Sequence, residues 1–149
     1  MRSWLAAIRR YLAVTVVGHL VWEMLHVRLY RIWDDGNAAE IAFAVVHCTG
    51  GDLLIALAAL SAALLLAGSS AWPADRLLRV GVLTVVLGVA YTVYSEWLNV
   101  SVRAAWSYGP RMPTLPPLGT GLTPLLQWLV VPPIALSAAR RVSHSTSAT

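Results

Sequence analysis

The sequence predicts an all-α fold, an integral membrane four-helix bundle with both termini cytoplasmic. Three observations carry this expectation. Only 12% of the 149 residues are charged while 58% are hydrophobic, against about 25% charged residues in ordinary soluble domains. Four apolar segments, at about 11–29, 40–67, 80–99 and 121–138, are each long enough to cross a hydrocarbon layer as a helix. The alternating ten-residue strands that a closed barrel needs are missing. A chain of this length has no room for a second, soluble domain, so 1–149 reads as one transmembrane domain.

The first segment follows Arg2, Arg9 and Arg10, as a secretory signal would. It is too long for the apolar core of a signal, and no small-x-small site precedes "VWEMLHVRLY", so a retained helix is expected. "WDDGN" at 33–37 combines acids with Gly-Asn and reads as a turn. The second segment exceeds the length a span needs and should tilt, or begin in the headgroup zone. "AGSSAWPADR" at 67–76 ends it with glycine and serines, and sets Pro73 and Asp75 near the next helical start. The third connection, "WSYGPRMPTLPPLGTG", holds four of the eight prolines. It is expected to lie at the interface as an extended cap over the bundle, polyproline-like in part. Thr123 and Pro124 supply an N-cap and first-turn pair for the last span, within which Pro132 and Pro133 should introduce a kink. From about residue 142 a small, polar, disordered tail is expected.

Charge sets orientation and excludes several chemistries. All 11 basic residues are arginine. Arg2, Arg9, Arg10, Arg76, Arg79, Arg140 and Arg141 fall on one side of the spans, and Arg28, Arg31, Arg103 and Arg111 on the other. The excess places both termini in the cytoplasm. Arginines scattered at helix ends suit lipid headgroups rather than nucleic acid. With no lysine in the chain, no lysine-linked cofactor can form. Cys48 stands alone, which excludes an internal disulfide, a CxxC pair and a cysteine-rich metal centre. Most of the seven tryptophans flank spans; Trp33, Trp72, Trp97 and Trp106 read as interface anchors.

Against this apolar background the stretch "GHLVWEMLH" stands out. His19, Glu23 and His26 are spaced i, i+4, i+7 and share one helical face, at depths of about 15, 9 and 5 Å below the outer boundary. His47 and Asp52 enter the second span from the same side. Glu96 and Asn99 lie near the outer end of the third, with Tyr91 deeper, and Gln127 falls at a comparable level in the fourth. All four spans thus place polar groups in the outer half, whereas the inner half reads almost entirely Leu, Val and Ala. Carboxylates facing lipid cost several kcal/mol, so these groups must face each other, a cavity or an ion. His47 and Asp52 lie about 140° apart on a straight helix and share one site only if the helix is distorted, for which Gly50 and Gly51 offer a cause. The same glycines would let a neighbouring helix or a ligand approach closely.

Four readings follow. Glu23 and Glu96, with His19 and His47, form a candidate set for acid–base chemistry on an apolar small molecule, a lipid or isoprenoid held between the helices. Glu23, His26, His47 and Glu96 form a candidate mononuclear metal site, and the histidines allow at most one bis-histidine haem, in a membrane oxidoreductase subunit. Proton- or cation-coupled transport is a third reading, with a homo-oligomer or larger membrane complex as its setting. An inert polar network that fixes helix packing is the fourth.

"VGHLVWEMLH" with "YSEWLNV" resembles the membrane sterol-isomerase family, which implies His19 and Glu23 as the first acid–base pair and Glu96 as the later acid. "HCTGGDLLIA", "YSEWLNV" and "PPLGTGLTPLLQWLVVPP" are similar to a group of small bacterial four-helix membrane proteins. That resemblance implies a multi-pass protein of the bacterial inner membrane and no particular activity.

Overall fold

The computed structural model describes residues 2–145, with side chains from 4 to 141. It is 77% helical. Four long helices, α1 (Arg2–His26), α3 (Ala38–Ala67), α4 (Leu77–Glu96) and α5 (Leu122–Ser145), are joined by a single-turn α2 (Ile32–Asp35) and two irregular connections. α1 packs on α3 and α5, and α4 packs on the same two helices, so α1 and α4 face each other diagonally. The stretches Trp4–Leu29, Ala38–Ala67, Leu77–Val102 and Leu122–Arg141 are each long and apolar enough to cross a membrane. Their outward faces are greasy: Leu54, Leu65, Leu66 and Phe43 are all about 70% exposed or more, a surface that suits hydrocarbon rather than water.

Local chemistry sets the ends. α1 closes through a 3-10 turn, Val27–Leu29. α3 opens on a capping box, in which Asn37 Oδ1 accepts from the backbone of Ala39 (2.9 Å) and Glu40 (3.1 Å). Glu40 Oε2 accepts from the Asn37 backbone at 2.8 Å in return, an arrangement worth about 1 kcal/mol. Beyond α4 the chain widens into a π-helical turn, Trp97–Val102, where the Asn99 amide donates to the Ser95 carbonyl at 2.9 Å. α5 carries Pro132 and Pro133 without ending. Its helix reaches Ser145, and the rest of the expected tail, 146–149, lies outside the described residues.

The proline-rich connection caps the polar end of the bundle, but less as polyproline than as paired backbone. Its Ser107 carbonyl accepts from Arg31 at 3.0 Å and its Gly109 N–H donates to Leu29 at 2.7 Å. A small hairpin follows, β1 (Thr114–Leu115) against β2 (Thr120–Gly121). Prolines without N–H groups leave the donors around them to do this pairing.

At the other end, Ala7, Leu60, Ala63, Val80, Ala135, Leu136 and Ala139 close around Tyr11 and Trp72. Close packing continues toward the middle: a Cβ on Gly18 would stand 2.8 Å from Val131, and one on Gly88 would stand 2.1 Å from the Trp128 ring. Gly50 and Gly51, by contrast, have nothing within 4 Å of where a Cβ would be. Close helix packing is made elsewhere, and Gly51 is left bordering open space. The inner half is also less apolar than its composition suggests, because Tyr11, Thr15 and Thr84 are fully buried in it.

Candidate functional site

The buried face of α1 comprises Ala7, Tyr11, Thr15, His19 and Glu23, then His26. On α4 the same four-residue spacing buries Val80, Thr84, Gly88, Thr92 and Glu96. Two diagonal helices therefore bring their acids to the same end of the bundle. α3 adds Asp52 and α5 adds Gln127 and Trp128.

Gln127 is the hub. Its Nε2 lies 2.7 Å from Asp52 Oδ2, 2.7 Å from His19 Nδ1 and 3.3 Å from Glu23 Oε1. An amide nitrogen carries two hydrogens, so it cannot donate to three acceptors. His19 Nδ1 also lies 3.3 Å from Asp52 Oδ2. The two short contacts, to Asp52 and to His19 Nδ1, use the two amide hydrogens, so Nδ1 is the accepting nitrogen of the His19 ring and the 3.3 Å contact to Glu23 is the weaker, shared one. The second oxygen of Glu23 meets His26 Nε2 at 3.1 Å. Glu23 thus links the His19–Asp52–Gln127 group to His26. The Trp128 ring lies 5.3 Å from the His19 ring, and Trp128 is 1% exposed.

Glu96 is held from the cap. The Tyr108 hydroxyl donates to Glu96 Oε2 and accepts from the Gly121 backbone at 2.8 Å. Trp106 and His26 lie beside the same carboxyl, and Glu23 is near enough to act on it electrostatically. Tyr30 is sandwiched, its ring 5.4 Å from His26 and 5.5 Å from Tyr108. Burial, and then the hydrogen bond to Glu96, push the Tyr108 hydroxyl above the usual tyrosine value. Burial, and then the Glu96 charge, do the same to Tyr30. Both therefore remain phenols able to donate.

Between these groups lies a cavity of about 1260 Å³, walled by Glu23, His26, Asp52, Glu96 and Gln127 on its polar side. Tyr91, Asn99 and Trp106 also line it. His19 does not reach this wall: it is fully buried behind Gln127 and Asp52. Its expected part in the chemistry becomes one of positioning and of holding a proton. His47 borders the same cavity, at its outer edge. α3 runs unbroken through Gly50 and Gly51, and both His47 and Asp52 border the cavity without the distortion the sequence suggested. His47 sits at the exposed rim, its ring stacked on Phe43 at 5.5 Å.

The four metal candidates are not gathered into a cluster. Among the described residues no group of three or more His, Cys, Asp or Glu side chains is arranged to hold a metal ion. Glu23, His26, His47 and Glu96 all border the cavity but do not converge on one point.

Tyr30, Tyr108 and Trp128 belong to the site but are not among the sequence candidates. Tyr108 stands in "WSYGP", where only the expectation that this segment caps the polar end points to it. Comparison with known protein families, with curated proteins and with solved structures gives no match for the chain. Its chemistry has to be argued from the site itself.

Proposed function

We propose that the chain is a multi-pass protein of a bacterial inner membrane, both termini cytoplasmic, whose cavity takes an apolar small molecule, a lipid or isoprenoid, for acid–base chemistry. The observation that supports this best is the cavity's make-up: buried carboxyl groups from three helices, Glu23, Asp52 and Glu96, meet on one large space between the long apolar helices. Pockets of this kind fix orientation with a few polar groups and bind through the rest. Glu23 is braced through both oxygens, by Gln127 and His26, so it meets a substrate in a set orientation. Glu96 with the Tyr108 hydroxyl forms the second proton-handling pair. A proton taken by one pair and another supplied by the other rearranges a substrate without a redox partner or co-substrate.

Mass spectrometry of lipid-soluble molecules that copurify with the wild type, Glu23→Gln and Glu96→Gln tests this. The expected result is a molecule retained by all three, carried in unreacted form by the variants. Retention with no chemical difference reduces the reading to binding alone, and a wild type that retains nothing overturns it. A reporter fused after residue 149 should be active in the cytoplasm; a periplasmic signal would reverse the orientation.

A further inference from the structure

Buried side-chain nitrogens and oxygens are almost always paired, so those that are not indicate where something else must bind. Among the described residues seven such atoms lack a partner of hydrogen-bond geometry: Ser69 Oγ, Trp72 Nε1, Tyr11 Oη, Thr15 Oγ1, His19 Nε2, His26 Nδ1 and Trp106 Nε1. The last two belong to residues that line the cavity. The other five run in order from the opposite end of the bundle to the back of the site. Ser69 and Trp72 lie in the connection between α3 and α4, and Trp72 packs in the same core as Tyr11. Tyr11, Thr15 and His19 then follow one another at four-residue intervals on α1, each fully buried. The Tyr11 and Thr15 hydroxyls lie within reach of one another.

We infer that these five groups form a proton path between the inner end of the bundle and the His19–Asp52–Glu23 cluster, which opens through the cavity to the other side. Four residues of helix rise about 6 Å; the long Tyr11 side chain closes its step to the Thr15 hydroxyl directly, and one water with two hydrogen bonds of about 2.8 Å each spans a step of that length between Thr15 and His19. Hydroxyls relay by accepting a proton on a lone pair while releasing their own. Ser69, Tyr11 and Thr15 can do this, whereas the Trp72 indole only donates and orders a water instead. His19 passes a proton through its ring: one arrives at Nδ1 from Asp52, 3.3 Å away, while the proton on Nε2 leaves toward Thr15. Each proton that enters at one end releases one at the other, so the path needs no reductant or co-substrate. This goes beyond the acid–base reading of the cavity and does not depend on which molecule fills it.

The test is proton uptake by liposomes that enclose pyranine and hold the full-length protein, driven by a valinomycin potassium potential. The wild type should conduct several-fold faster than protein-free vesicles, and Thr15→Val should fall to the protein-free rate. Thr15→Ser should recover conduction. Thr84→Val should conduct as the wild type does, because the Thr84 hydroxyl donates to the Val80 carbonyl at 2.8 Å and lies outside the path. Tyr11→Phe gives a second interruption if Thr15→Val does not reconstitute. A wild type no faster than empty vesicles, or conduction unchanged in Thr15→Val and Tyr11→Phe, overturns the inference. Either outcome leaves ligand retention by the cavity to be decided separately.

Discussion

Replacing Gly88 by alanine tests the packing that holds the floor of the cavity. The added Cβ would stand 2.1 Å from Trp128 Cε3, 2.5 Å from Cζ3 and 2.7 Å from Cδ2. Carbon atoms in contact rest about 3.5–4.0 Å apart, so the ring or a helix must give by about 1.5 Å. Trp128 is almost fully buried and packed against His19, with one side bordering the cavity. Overpacking of this kind costs about 1–3 kcal/mol, here at the upper end, because the contact is with a rigid ring. Exchanging glycine for alanine in a helix returns about 0.8–1.0 kcal/mol. The clash wins, leaving a net loss of about 2 kcal/mol. Gly50→Ala isolates the second term: it has nothing within 4 Å and should stabilise the bundle by up to about 1 kcal/mol. Unfolding in mixed micelles by SDS titration, followed by helical circular dichroism, measures both. In Gly88→Ala with Trp128→Leu the clash disappears, so the pair should lose less than its two single changes added together. A Gly88→Ala protein at least as stable as wild type would refute the interlock.

Two further outcomes follow from the polar end. Gln127→Leu removes the donor to Asp52 at 2.7 Å and to Glu23 at 3.3 Å. Buried hydrogen bonds to charged groups are worth about 1.5–3 kcal/mol each, so the same titration should show a loss of about 3 kcal/mol; less than about 1 kcal/mol would remove Gln127 as the hub. Tyr108 gives a pH signature. Its folded value is raised by burial and by Glu96, so its contribution is complete below the ordinary tyrosine value of about 10. Above that value the unfolded chain releases a proton that the folded chain keeps, and stability falls as pH rises. Tyr108→Phe should make the decline between about pH 9 and 11 shallower; an unchanged slope counts against the buried phenol.

How much of this could be read in advance depends on whether the signal was periodic or topological. The four apolar segments determine the helices almost alone, and the paired backbone of the cap was hidden because proline content says which donors are missing, not where the rest will turn. Glu23, Glu96, Asp52 and Gln127 were legible from matching depth, since a carboxyl in an apolar span has few places to go. Depth does not report angle, however: His47 borders the cavity only at its exposed rim, while Asp52 reaches the buried network. Tyr11 and Thr15 continue the His19–Glu23 spacing backward by whole turns. They were passed over because a hydroxyl in an apolar stretch is weakly polar by composition. Trp128 needed the partner glycine on α4, a relation that no local pattern contains.

The placement of Gln127 on the last helix also bears on how the chain is made. In the proposed membrane setting, spans that enter in order bring α1 and α3 together before α5 exists. His19 can meet Asp52, and Glu23 can meet His26 within its own helix, as soon as those spans are in place. The remaining oxygen of Glu23 and the amide bond to Asp52 wait for the final span. A nascent chain therefore carries incompletely satisfied acids until synthesis is almost finished, when one amide from α5 ties the acids of α1 and α3 together. A product truncated before α5 would expose those groups in the bilayer, which gives membrane quality control a chemical mark by which to tell an unfinished chain from a complete one.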